Sequence, residues 1–109
     1  MSVTPVHSTR LRTTTAVAVA VTAFDQNAII TTNNASAVTV TLPLSGTAVG
    51  SVNFPIGTQI HVIQLGAGAT TVVKTGADTI AGTVATVAVG DLLIVTKTSA
   101  AGWHSAFAT

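Results

Sequence analysis

Cysteine is absent from this 109-residue chain, which excludes disulfide staples and thiolate zinc centres and leaves stability to packing and assembly. Glutamate and tyrosine are absent as well, and charged residues make up only 6% of the chain, against roughly 25% in an ordinary soluble domain. Threonine, serine, alanine and asparagine must therefore cover the surface, which lacks the charge repulsion that keeps copies of a protein apart. This composition fits part of an assembly better than a free monomer. The formal charge of +1 also argues against nucleic-acid binding. Arg10, Arg12, Lys74 and Lys97 form no run, and no aromatic platform lies between them.

Long apolar runs are missing too, none approaching the roughly 18 residues of a membrane span. Residues 10–24, RLRTTTAVAVAVTAF, superficially resemble a signal peptide, but the apolar part is short and opens with three threonines. An edge strand or arm is the better reading. Its alternation puts Thr15, Val17, Val19 and Val21 on one face and Ala16, Ala18 and Ala20 on the other.

Catalytic patterns are equally scarce. Serine, histidine and aspartate occur without a nucleophile elbow. His7, His61 and His104 are far apart and lack HxH or HExxH spacing. His61 is expected on the polar face of its strand and His104 at the domain edge beside Trp103; only a threefold assembly would gather copies of one histidine around a metal. Gly66-Ala67-Gly68 joins two strands with no helix N-terminus after it, so it reads as a turn and not a phosphate loop. Asn34-Ala35-Ser36 matches a glycosylation acceptor but reads as a turn without a secretory signal. Trp103 and Phe107 have the rings to stack on sugar, yet with 4% aromatics a small β-domain needs them inside. No enzyme, cofactor or metal is expected.

What is present is a period of two. Val38, Val40 and Leu42 alternate with Thr39 and Thr41, and Ile60 and Val62 with Gln59 and His61. Strands are expected near 13–21, 28–32, 37–42, 58–64, 70–74, 83–88, 91–97 and 103–107, with turns at Asn33-Asn34, Ser45-Gly46, Gly90-Asp91 and Gly102. Threonine, about a fifth of the chain, suits a β-rich fold with neutral outer faces. The expectation is one all-β domain, a small β-sandwich or barrel-like domain with an extended N-terminal arm. Residues 1–22 form the arm and first strand, and residues 23–109 the β-domain. Residues 54–80 read as a β-hairpin unit, with Gly57, Gly66 and Gly68 as structural turns, some at positive φ. Residues 92–95, Leu-Leu-Ile-Val, do not alternate, which marks a central strand or one covered by another subunit, with Leu93 and Val95 as possible interface residues. Asp91 and Lys97 are expected at its solvated ends.

Several segments, AIITTNN (28–34), VTVTLP (38–43), FPIGTQI (54–60) and QLGAG (64–68), followed by a strand at 92–96 and Trp103, resemble a β-rich module of bacteriophage virion surface proteins. The resemblance spans residues 24–109 and is sharpest in FPIGTQI and QLGAG. Residues 1–22 have no counterpart in it, and the stretch from Ile80 to Asp91 departs from it. It implies a non-enzymatic virion structural protein. With no shaft or coiled-coil pattern beside the module, a capsid decoration protein is expected, a homotrimer on the particle surface that contacts the major capsid protein. The arm, with Val3, Pro5, Val6, Arg10, Leu11 and Arg12, would grip the partner. The alternatives are a tail-fibre, tail-tip or baseplate component and, less directly, a carbohydrate-binding module.

Overall fold

The computed structural model describes residues 10–107. Nine strands account for nearly all of its regular structure: β1 (Leu11–Thr14), β2 (Ala18–Ala20), β3 (Ile29–Thr32), β4 (Val38–Thr41), β5 (Gln59–Gln64), β6 (Thr70–Val73), β7 (Thr79–Gly82), β8 (Leu92–Ser99) and β9 (Gly102–Phe107). A single 3-10 turn, Ala23–Asp25, interrupts them. The all-β expectation holds. The strands form a six-stranded sheet, ordered β1-β3-β5-β8-β9-β7, and a three-stranded sheet, ordered β2-β4-β6.

The chain reaches this arrangement by winding. β1, β3 and β5 lie side by side and parallel, with Leu11, Ile29 and His61 in one row and Thr13, Thr31 and Ile63 in another. The strand after each of them, β2, β4 and β6, lies parallel to its own kind in the other sheet, with Val19, Val40 and Val72 in one row. Each coil therefore contributes one strand to each sheet, and successive coils stack in register. Beyond β6 the winding stops. β8 and β9 form an antiparallel hairpin against β5, and β7 pairs parallel to the far side of β9.

This topology overturns the hairpin reading of residues 54–80, because β5 and β6 belong to different sheets. The corner at Gly66-Ala67-Gly68 does not pair β5 with β6. Its backbone bonds the coil before it: the amides of Leu65 and Gly66 donate to Thr32 O at 2.7 and 3.2 Å, and that of Gly68 to Asn34 O at 2.8 Å. Alternation followed by glycine looks the same in a hairpin and in a corner between sheets; the partner of the backbone distinguishes them. The expected strand at 13–21 is split, since residues 15–17 turn the chain from one sheet to the other. Residues 83–88 form no strand; Val84 O and the Thr86 amide instead pair with Val72 and Thr70 along the outer edge of β6.

Alternate residues of both sheets meet between them. Ile30, Ile60, Val62, Leu93 and Val95 from the larger sheet face Val19, Val38, Val40 and Val72 from the smaller, all buried in one cluster. Trp103 and Phe54 close one end of it, edge to face with ring centroids 5.7 Å apart. The corner side of the core is polar. Thr86 Oγ1 donates to Gln64 Oε1 at 2.5 Å and accepts from the Thr70 amide at 2.8 Å, Gln64 Nε2 donates to Gly66 O, and the Thr32 and Thr70 hydroxyls share a bond of 2.6 Å. Buried groups bonded to one another and to nearby backbone carbonyls fix the register of the coils, because any slip leaves several of them unpaired.

Candidate interaction surfaces

The first coil ends the stack. Arg10 O and Thr14 O accept from the amides of Ile29 and Asn33, so by the alternation of a strand the N–H and C=O groups of Leu11 and Thr13 point away from β3. In the other sheet Val17 O accepts from the Thr39 amide and the Val21 amide donates to Thr41 O, which turns the backbone of Ala18 and Ala20 outward. β1 and β2 are thus edge strands on the same side of the molecule. Leu11, Val17 and Phe24, all in or just after this coil, are exposed by 65, 49 and 73%. Outward backbone N–H groups that meet no partner among the described residues, beside exposed apolar side chains, are the chemistry of strand addition.

Arg12 lies across this end. Its guanidinium donates to Ala20 O at 3.1 Å and to Asp25 Oδ2 at 2.8 Å, joining β1 to β2 and to the following turn. Asp25 is buried and takes a further bond from the Thr22 amide at 2.8 Å. Arg10 sits over the Phe24 ring, 5.7 Å from its centroid. The two arginines expected in the gripping arm are therefore engaged within the chain, and Leu11 and Arg12 belong to a paired strand. Val3, Pro5 and Val6, the rest of the expected arm, lie outside the described residues, as does His7.

Leu93 and Val95 are fully buried in the chain's own core. β8 is central, between β5 and β9, so these two cannot contact another subunit, and the outward positions of the strand are Leu92 and Ile94, each partly buried. Lys97 corrects a second expectation. The inward alternation of Leu93 and Val95 continues to it, leaving it 1% exposed where a solvated end was expected. Its ammonium lies 5.3 Å from the centre of the Trp103 ring and donates to Phe54 O at 3.3 Å. No sequence signal marks Lys97 as buried apart from its parity with Leu93 and Val95.

Gly57 has a φ of +96° and donates its amide to Lys97 O. Gly66 and Gly68 do not have positive φ. They are glycines because a Cβ on either would collide with the backbone of Asn34 or Ser36 in the coil below. Neither a protein-family model nor a curated protein matches this sequence. The site must therefore be read from its own chemistry.

A groove of about 350 Å³ runs across the first three coils, lined by Thr13, Thr14, Thr15, Thr31, Asn33 and Leu65. It holds hydroxyls, an amide and one leucine, with no charge to anchor an ion or activate a nucleophile. Backbone N–H bonds from Val87 and Ala88 hold the Asp91 carboxyl below the usual aspartate range, which fixes the 87–91 turn rather than a reacting centre. Among the described residues no three histidines, aspartates or other ligating side chains gather as a metal site. His61 and His104 sit on the outer side of the six-stranded sheet, in separate rows.

Proposed function

We propose that this chain is a non-enzymatic structural protein of a bacteriophage particle, a capsid decoration protein that oligomerises, as a trimer, on the shell surface and contacts the major capsid protein. The observation that carries the reading is the open first coil, whose outward backbone N–H groups on β1 and β2 meet no other strand among the described residues, with Ala20 O capped by Arg12, next to exposed Leu11, Val17 and Phe24. A surface of this kind gains hydrogen bonds and apolar burial together when an extended segment is laid on it. The near-absence of charge supports the same reading, because a neutral surface docks without desolvating ions. The link to phage particles rests on the resemblance of residues 24–109.

A tail-fibre or baseplate role is the second reading, favoured by the parallel coils themselves. A stack of parallel coils open at one end is the arrangement that lengthens by adding coils, as fibrous parts do.

The test is reconstitution. A chain carrying Thr13→Pro, which removes an outward N–H of β1 and leaves the ladder to β3 in place, is expected to fold and oligomerise yet bind particles stripped of the protein more weakly. Full-affinity binding by this variant would remove the edge of β1 from the docking element. An imaging map of the intact particle, with many copies over the head or a few at the tail, decides between the two locations.

A further inference from the structure

From the outer face of the six-stranded sheet we infer an interface at which one copy of this chain packs on another. The inference rests on the assembly reading and deepens it by naming the surface and its occupant.

The rows of the sheet make the case. Ile29, His61 and Ile94 stand side by side across β3, β5 and β8, and the next row brings Ile63 beside Leu92. All five are partly buried by their neighbours and lie opposite in parity to the core residues Ile60, Val62, Leu93 and Val95. A sheet that faces water on one side ordinarily alternates apolar inside with polar outside, and isoleucine and leucine on both faces mark a sheet covered on both. At the outward positions of all six strands there is no aspartate, lysine or arginine. Arg12 and Lys97, the charged residues on these strands, take the inward parity.

Charge and area select the occupant. A face without ions has nothing to match an acidic or basic partner, whereas a copy of this chain, 6% charged overall, offers an equally neutral surface and brings no like charges together. Two to four outward side chains on each of six strands, at about 4.8 Å between strands and about 6.8 Å along them, cover roughly 500 Å², close to the lower bound per partner for a specific interface. Outward His61, among isoleucines, is then covered on assembly.

The experiment is sedimentation of Ile94→Asp beside Thr39→Asp. Ile94 points outward at the centre of the face; Thr39 is exposed on the smaller sheet and serves as the control. The expected result is at least a tenfold weaker self-association for Ile94→Asp and no change for Thr39→Asp. An oligomer unaffected by Ile94→Asp, equal dissociation by Thr39→Asp, or a wild-type chain that stays monomeric at high concentration would each overturn the inference. Should Ile94→Asp fail to fold, the wild-type chain still decides: a soluble paramagnet should broaden the Ile29 and Ile94 methyl resonances on dilution and spare them when concentrated, and broadening at both concentrations refutes the interface. Binding of the chain to stripped particles is scored separately. A monomer that still binds them sinks the interface and leaves the decoration reading intact, whereas self-association through this face without particle binding does the reverse.

Discussion

Two glycines with the same apparent role are required for different reasons, and substitution separates them. Gly57 needs its positive φ but has open space where a Cβ would stand, so Gly57→Ala costs about 1 kcal/mol of backbone strain. Gly68 has no strained φ, but a Cβ there runs into the carbonyl of Ser36 and comes within 2.8 Å of Asn34 O. Both are backbone atoms of the preceding coil, and Asn34 O already accepts from the Gly68 amide, so they cannot move aside without breaking the corner. Gly68→Ala should destabilise by about 3 kcal/mol, read as a lowered denaturation midpoint at unchanged slope. Equal effects at the two positions would show that the coils do not approach so closely. Lys97 makes the opposite case. Its ammonium has three donors and finds one long bond and an aromatic face, so burial of the charge is poorly compensated. Lys97→Met keeps the length and packing against Trp103 without the charge and should leave the protein as stable or up to about 2 kcal/mol more so. A marked loss of stability for the methionine variant would show that the Trp103 and Phe54 contacts hold the cation better than this geometry implies.

At the scale of elements, alternation located most strands because each has one face in the core, and a period of two survives whatever the strand pairs with. Pairing itself was not legible. Residues 59–64 and 70–73 carry the pattern of a hairpin, but the Thr32, Gln64, Thr70 and Thr86 network that ties the corner to its neighbours draws on residues up to 54 positions apart, and no local signal encodes such spacing. The non-alternating run at 92–95 is apolar on both sides, and its own pattern does not tell which of its residues face inward. Arg12 was legible as a cation and not as a bolt, because Asp25 lies 13 residues further on across a strand and a turn. Arg12→Ala should cost roughly 2 kcal/mol, since it strands the buried Asp25 carboxylate and frees Ala20 O while its own partial exposure limits the loss. Combining it with Asp25→Ala should recover part of that cost in a double-mutant cycle. Additive losses would show that the pair does not couple β1 to the turn.

For the whole molecule, a stack of coils implies a gradient of stability that a single uniform core would not. β5 and β8 are covered on both edges and line the core, so their amides should exchange with solvent only through global unfolding. Among the described residues β1 and β2 pair on one edge alone and are held across the end chiefly by Arg12, so the first coil should open locally at lower cost. Hydrogen exchange of the isolated protein is therefore expected to rank Ile60, Val62, Leu93 and Val95 as the slowest amides and Ala18 and Ala20 among the fastest, together with the outward amides of Leu11 and Thr13. The same four outward amides report on docking. When the protein is bound to the particle through strand addition at this end, partner carbonyls should satisfy them and slow their exchange by at least tenfold, while β8 changes little. Slow exchange in the free protein would mean that the edges are already covered. Unchanged fast exchange on the particle would mean that the first coil is not the docking surface, and the contact must then be sought on the outer sheet faces.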